Sequence, residues 1–485
     1  MKITKLFMKD RKFNFLSFFI IANRFVPIKI VEDFEYEQSY NPEFAVKYFG
    51  VDQFEKQYVE GFSPDLELIT NVTFEKLNIE NVEIAKYYKM EYNDVTHFFI
   101  GHEFFNRKYF FNHDDDFLRF TFLNKAILEL MSLIDFFPEI MHLNDWSTSL
   151  IPYIISSEYS EDSRYTNIKT LLTIHNLEKQ GAFARDYEKY FTKKNFTYLH
   201  LNDINFLKTG IMRATRINTV SKSYRSEMLT KFFGFTLDGA LKSRQYQLKG
   251  IQNGIDYNLY NPETDKNIYF NYNINNFEEG KKINKSSLLK DYNLKDQSKP
   301  IVSFISRFAK EKGISLIIDT IEEFLIKDLI YFFVIGEGDI EYEKYFNNLA
   351  KKYPDNVVYV LGHNQKISQK FYAGSDLLLM PSLYEASGLN QMIAMRYGCL
   401  PIVRETGGLK DTVTPFDKNN ANGFSFKNFD AKELNEAIYE AITLFNKDKS
   451  KWNKLIYNAM SIDNSIERMA LEYDKLYEEI INAEY

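Results

Sequence analysis

From Ile301 onward, short apolar runs alternate with amphipathic stretches. IVSFIS, IYFFVIG, VVYVLG, LLLMPS and LPIVRE read as buried strands, while ISLIIDTIEEFLI, Tyr342 to Lys352 and the short stretch Gln369 to Ala373 read as helices. Near-continuous apolar strands separated by helices predict a parallel, doubly wound α/β sheet, whose ligands lie beyond the carboxyl ends of the strands. The amino-terminal half is less regular. There Ile140 to Leu143, Thr170 to Ile174 and Arg216 to Val220 each read as a strand followed by a polar loop and a helix, which predicts a second sheet of the same kind. Phe15 to Ala22 reads as a further strand, since Asn23 and Arg24 follow it in place of the small residues of a leader cleavage site. GIQNGIDYNLYNPETD, Gly250 to Asp265, carries Asn253-Gly254 turn chemistry and reads as a crossover between domains. Asn261 to Ser298 is polar and reads as an insertion. After Leu434 the pattern is helical, with Ala470, Leu471, Tyr473, Leu476, Tyr477 and Ile480 at helical spacing.

Composition adds bounds. A chain of 485 residues with 45% hydrophobic content exceeds what one core usually supports, so two domains are expected. The 60 basic residues against 67 acidic ones give a net charge of -7, which points away from nucleic acid and from an anionic membrane surface as partners. No run reaches membrane-spanning length. The single cysteine, Cys399, is expected to be buried; it excludes an intramolecular disulfide and a cysteine-based zinc site, and fits a reducing, cytoplasmic setting. No metal or cofactor is expected, and Asp114-Asp115-Asp116 reads as a solvated turn.

Candidate chemistry concentrates between Leu378 and Val413. The loop LYEASG places Glu385 after one strand, and NQMIAMRYG then begins a helix whose first amides lack intrahelical partners and can hold phosphate. The following strand ends in Thr406, Gly407 and Gly408, where glycine permits close backbone approach to a ligand. Two such turns suit a diphosphate. Arg307 and Lys312 fall on the loop after the first strand of the same sheet, at the end where ligands are expected.

These residues carry a family resemblance. SRFAKEKG (Ser306 to Gly313), PSLYEASGLNQMIAMRYG (Pro381 to Gly398) and RETGGLKDTV (Arg404 to Val413) resemble the carboxyl-terminal motifs of bacterial glycogen and starch synthases, two-domain GT-B glycosyltransferases. HLNDWSTSLIPYI, TIHNLEKQGAF, FLKTGIMRATRINTVSKSY and GIQNGIDYNLYNPETD follow in the family's order, so the resemblance covers roughly Val95 to the carboxyl terminus. It implies two Rossmann-like domains facing each other across a cleft: an acceptor-side domain over 1–253, rejoined by a helix at about 466–485, and a nucleotide-sugar domain over 254–465. The implied reaction moves glucose from a nucleotide sugar, ADP-glucose, to the nonreducing end of an α-1,4-glucan with retention, by same-face attack assisted by the leaving phosphate. Arg307 and Lys312 would contact the diphosphate, and Glu385 the donor sugar. Gly388, Leu389 and Asn390 would offer helix-start amides, with Thr406, Gly407 and Gly408 on the other side of the phosphates. His175 and Asp145 would lie near the transferred glucose.

The chain also departs from the family pattern. A K-x-G-G-L loop is replaced by ANRFVPIKIVEDFEY, Ala22 to Tyr36, which leaves Lys29 as the candidate substitute for the loop lysine. Ser147 replaces a second histidine, EPCGL reads EASGL, and His363 stands where an aromatic residue packs on the nucleobase. Two alternatives stay open: a GT-B transferase with another donor or acceptor, and a catalytically weak glucan-binding or regulatory homologue.

Overall fold

The computed structural model describes residues 15–17, 67–72, 85–92, 95–105, 111–191 and 198–483. They divide into two compact units. The first holds the described residues up to Thr219, Met228–Lys249 and those from Ala470 on; the second holds Val220–Glu227 and Gly250–Met469.

The second unit is built on a six-stranded sheet. Its strands run side by side as Val357–Leu361, Tyr331–Gly336, Ile301–Ile305, Leu377–Met380, Leu400–Arg404 and Phe424–Phe426, all parallel. In chain order that is 3-2-1-4-5-6, the doubly wound order that reverses between its first and fourth strands. Tyr331–Gly336, Ile301–Ile305 and Leu400–Arg404 are buried at every position. Helices on both faces explain why their apolar residues are continuous rather than alternating. The helix Ile314–Ile326 buries Ile314, Ile317, Ile321 and Phe324, one stripe at helical spacing.

Two expectations change here. The helix read over Gln369 to Ala373 spans Gln365–Gly374, because the Asn364 side chain caps it by accepting from the Ile367 amide at 2.9 Å. The segment read as a polar insertion contains the helix Phe277–Asp291, which packs into the core through Leu288 and Leu289. Its polar residues hide that role because they are buried and satisfied. Lys285 pairs with Asp376 at 2.8 Å, Lys281 donates to the carbonyls of Tyr372 and Ser375, and Asn284 donates to those of Phe270 and Gly280. Asp376 also accepts from the Ile301 amide at 2.9 Å, which ties this helix to the start of the central strand. Cys399 is fully buried, as expected, and burial pushes its thiol up to about 12.

In the first unit a five-stranded sheet runs Phe15–Ser17, Ile140–Asn144, Lys169–Ile174, Arg216–Thr219 and Leu248–Gly250, with its first three pairings parallel. Phe15–Ser17 falls inside the strand expected from Phe15 to Ala22; residues 18–22 lie outside the described residues. A separate antiparallel sheet, Glu67–Val72, Ala85–Tyr92 and Val95–Gly101, contacts the helix Asp116–Leu133 through the Tyr87 hydroxyl, which donates to the Ala126 carbonyl at 3.1 Å. The triplet Asp114-Asp115-Asp116 is not wholly a solvated turn. Asp116 is buried, forms an ion pair with the fully buried Arg119, and accepts from the Asn112 amide at 2.8 Å. It starts the helix, and the partner one turn on offsets the cost of burying its charge.

The helix Ile466–Asn482 contributes its residues from Ala470 to the first unit. Ala470, Tyr473, Leu476, Tyr477 and Ile480 are buried, whereas Leu471 is 59% exposed because it falls one position off that stripe. The Tyr473 hydroxyl accepts from Asn218 at 2.8 Å, and the Tyr477 hydroxyl meets Nδ1 of His142 at 2.8 Å. The other His142 nitrogen meets the Thr173 hydroxyl at 2.6 Å. Among the described residues no helix is long and apolar enough to cross a membrane.

Two predictions come from these buried groups. Removing one member of a buried ion pair leaves the other charge uncompensated, so Asp376→Ala is expected to cost about 3 to 5 kcal/mol. Urea unfolding followed in the second unit measures it, and a midpoint equal to that of the native chain would contradict it. The second concerns pH. Burial, and next the nearby His175, push the His142 imidazole down from 6.5 to about 3. Above pH 6.5 both folded and unfolded chains are neutral at His142; below it the unfolded chain takes up a proton the folded chain refuses, so stability falls down to about pH 3. At pH 5 the loss is on the order of 2 kcal/mol. His142→Gln is expected to flatten the fall in urea midpoint between pH 7 and 5, and an unchanged slope would refute the assignment.

Candidate active site

At the reversal of the second unit's sheet, the loop after Ile301–Ile305 meets the loop after Leu377–Met380. The first loop tightens into a single turn, Lys310–Lys312, closed by Gly313 at φ 71°. A side chain at Gly313 would collide with the carbonyl oxygen of Pro381, so glycine is what lets the two backbones touch. The Leu383 amide then donates to the Glu311 carbonyl at 2.8 Å. This contact puts Lys312 Nζ 2.6 Å from Glu385 Oε2, with the side chains 23% and 13% exposed. Ser382 Oγ donates to the same carboxylate oxygen at 3.2 Å. Arg307, by contrast, is 60% exposed and pairs with Glu311 at 2.6 Å, an open pair one helical turn apart. Such pairs are worth little, so the guanidinium can turn to another anion at small cost.

Arg404, the last residue of its strand, is buried beneath this loop. It donates to the carbonyls of Ser382 (2.6 Å), Leu383 and Lys427 (3.4 Å), and so fixes the stretch leading to Glu385. Burial lowers the pKa of its guanidinium, and the charge of Glu227 partly offsets that shift. A charged residue closing an otherwise apolar strand was the available signal for this role. The Asn390 side chain donates to the Ile305 carbonyl at 2.6 Å, joining the two loops again. Leu389 precedes the helix Asn390–Arg396, and Gly388 takes φ 67° against the side chain of Gln391.

The second turn differs from what was expected of it. Thr406, Gly407 and Gly408 were read as facing phosphates, yet their donors already have protein partners. The Gly407 amide donates to Glu227 at 2.9 Å, the Thr406 hydroxyl lies 3.1 and 3.2 Å from the two oxygens of the same carboxylate, and the Gly408 amide donates to the Glu385 carbonyl at 3.2 Å. A carboxylate from the helix Lys222–Glu227 thus satisfies the start of the helix Gly407–Thr412. Burial raises the Glu227 carboxyl, while the Gly407 amide and Thr406 hydroxyl pull it back. Nothing in the apolar pattern marks Glu227, which sits on a polar helix three residues beyond the motif ending at Tyr224. His363 is exposed just past the end of Val357–Leu361, the edge strand of the same sheet.

In the first unit, Asp145 and His175 follow neighbouring parallel strands and are brought together. Asp145 Oδ1 accepts from the His175 amide at 2.8 Å and from the Asn176 amide at 3.4 Å. Asp145 holds φ 54° with ψ -171°, a strained backbone for a residue with a side chain, and such strain persists only where surrounding contacts impose it. Burial raises its carboxyl, against the pull of His175 and the two amides. His175 Nε2 lies 2.9 Å from Asn144 Oδ1; since an amide oxygen only accepts, this nitrogen carries the hydrogen. Asn144 was not singled out from the sequence, although it lies inside HLNDW. Ser147, in the place of the second family histidine, is buried and donates to the Asn144 carbonyl at 3.5 Å. Lys29 lies outside the described residues. Among the described residues no cluster of His, Cys, Asp and Glu could hold a metal ion.

Known proteins match both units. The starch synthase catalytic domain family matches residues 45–243, starting upstream of the Val95 from which the motifs were legible, and the glycosyl transferases group 1 family matches residues 287–460. A glycogen synthase of Acholeplasma laidlawii is 43% identical over 432 residues, 87% of this chain and 90% of that protein. One from Clostridioides difficile is 42% identical over 409 residues, 81% of this chain and 84% of that protein. The catalytic domain of starch synthase IV from Arabidopsis thaliana, solved bound to ADP and acarbose, matches with a TM-score of 0.79 at 30% identity, covering 86% of this chain and 89% of that one. Sucrose-phosphate synthase of Thermosynechococcus elongatus, at 17% identity and a TM-score of 0.53, shares the fold alone. With this identity across most of its length, and with both family matches in order, the chain belongs to the glycogen and starch synthase family, hexosyltransferases of the GT-B fold.

Proposed function

We propose that this enzyme transfers glucose from ADP-glucose to the nonreducing end of an α-1,4-glucan with retention at the anomeric carbon. The observation that carries the proposal is the Lys312–Glu385 pair, 2.6 Å apart at the reversal point of a doubly wound sheet, where such sheets bind ligands. Lys312 and Arg307 stabilise the charge that grows on the diphosphate as its bond to glucose breaks. Glu385 accepts from hydroxyls of the donor sugar, and the amides of Gly388, Leu389 and Asn390 support the phosphates. Thr406, Gly407 and Gly408 shape the opposite wall, and His363 stands beside the nucleobase. Asp145 and His175 bind hydroxyls of the transferred glucose. The acceptor hydroxyl attacks on the face the diphosphate leaves and gives its proton to a departing phosphate oxygen, through an oxocarbenium-like state. ADP as the leaving nucleotide is supported by the starch synthase IV structure, which is bound to ADP. We place the enzyme in the cytoplasm, where its lone, buried Cys399 is in keeping with a reducing setting.

The test is an assay of the purified protein with ADP-glucose or UDP-glucose, with and without glycogen, following both diphosphate release and polymer growth. Glycogen-dependent ADP release matched by chain growth is expected. Preference for UDP-glucose overturns the donor assignment, and diphosphate release without polymer growth overturns the acceptor.

Two substitutions refine it. Arg307→Ala and Lys312→Ala are each expected to lower turnover about 100 to 1000-fold, the usual effect of deleting one donor aimed at developing charge. Near-normal turnover in both would remove the proposed phosphate clamp. Lys29→Ala is expected to cut turnover strongly with little change in melting temperature, since a lysine that serves a ligand rather than the core adds little to stability. A silent Lys29→Ala in an active enzyme would assign that contact to another residue.

A further inference from the structure

Three contacts from one short segment converge on the two loops that carry Glu385 and Thr406. Ser221 Oγ donates to the Ala386 carbonyl at 2.7 Å, directly after Glu385. The Ser223 amide and hydroxyl donate to the two oxygens of Asp411 at 2.8 and 2.6 Å, on the helix Gly407–Thr412. Glu227 closes the set with its bonds to Thr406 and Gly407. The middle of this arrangement has little freedom. Gly407 holds φ 43°, and a side chain there would collide with the Glu385 carbonyl oxygen, to which the Gly408 amide also donates. The backbone of Glu385 therefore leans on the turn that Glu227 holds.

We propose that Glu227 is a positioning residue for the transfer reaction: its carboxylate fixes the Thr406–Gly408 turn, which fixes the Glu385 backbone and so the approach of Glu385 to Lys312. This rests on the function proposed above. Its consequence for the donor is definite. The Gly407 amide serves Glu227 rather than the diphosphate, and the leaving-group charge falls to Lys312 and Arg307. The bonds are of the strong kind, since an ionised acceptor roughly doubles a hydrogen bond, and a displacement of about 1 Å at a reacting group can cost on the order of a hundredfold in rate.

Glu227→Ala, Glu227→Gln and the native enzyme are compared in two ways. The first is amide hydrogen exchange, which needs no turnover. Glu227→Ala is expected to raise exchange in peptides covering Glu385 to Gly388 and Thr406 to Gly408 while the central strands Ile301–Ile305 and Tyr331–Gly336 stay protected. The second is kinetics with nucleotide sugar and glycogen. Glu227→Ala is expected to lower kcat by about tenfold to a hundredfold with KM for the donor little changed, and Glu227→Gln, which keeps one acceptor oxygen, to recover most of it. Unchanged exchange in both loops overturns the proposal. So does tighter ADP binding by Glu227→Ala, which would show the carboxylate competing with phosphate for the Gly407 amide. So does a kcat loss that Glu227→Gln shares in full and that tracks a lowered melting temperature. A native enzyme that transfers no sugar refutes the proposed function instead, and the exchange comparison still decides the role of Glu227. Should Glu227→Ala fail to fold, Thr406→Val deletes one partner of the carboxylate and is judged by the same two measurements.

Discussion

The close approach of two backbones at Gly313 and Pro381 is the constraint on which the second unit's site depends. The sheet order makes the approach possible, because the chain reverses between its first and fourth strands and the loops leaving them face the same crevice. Glycine makes it actual. With any side chain at Gly313 the loop bearing Arg307 and Lys312 would stand off the loop bearing Glu385, and the bond from the Leu383 amide to the Glu311 carbonyl would be lost. Asn390 bridging to Ile305 and Arg404 gripping Ser382 and Leu383 then hold what the glycine permits. Side chains that tie backbone to backbone thus set the distance between the proposed site residues.

A recurring device in the chain is the charged residue that is buried together with its partners. Lys281, Lys285, Asp376, Arg119 and Arg404 all lie in protein interior with ion-pair or carbonyl partners. Each would be costly alone, and each becomes a specific tie between elements once paired. Lys285 and Asp376 secure the helix before the sheet to its central strand, at the end opposite the candidate site. Arg404 does the same work at the site end.

How much could be read from the sequence follows from the kind of interaction involved. Five of the sheet's six strands were legible because continuous apolar runs such as IYFFVIG fit burial on both faces, whereas the three-residue edge strand Phe424–Phe426 is too short to show a pattern. Lys312 and Glu385 were legible as neighbours because both follow strands whose carboxyl ends share a crevice. The helix Phe277–Asp291 was not, since its buried lysines and asparagine imitate a solvated segment and only their partners, far along the chain, reveal otherwise. The antiparallel sheet of the first unit was missed for a related reason: AKYYKMEY alternates too weakly to separate strand from loop. The turn at Gly407 does hold an anion: the Gly407 amide donates to the carboxylate of Glu227, whose distance in sequence no local pattern can bridge.

Two carboxylates beside the proposed diphosphate site pose an electrostatic question, because unscreened anions at such distances would repel the donor. The structure answers it by pairing both. Glu385 has Lys312 and Ser382 on one oxygen. Glu227 has the Gly407 amide, the Thr406 hydroxyl and the field of Arg404. Each carboxylate is thereby balanced locally, and in each case the balance also serves geometry, the first by aiming the lysine and the second by holding a turn. The most readily released positive charge is that of Arg307, whose open pair with Glu311 is weak enough to give up. In the proposed reaction a diphosphate arriving at this loop meets one cation already aimed and one held only by a weak pair, and that order separates the part of the site that must be built in advance from the part that can adjust on binding.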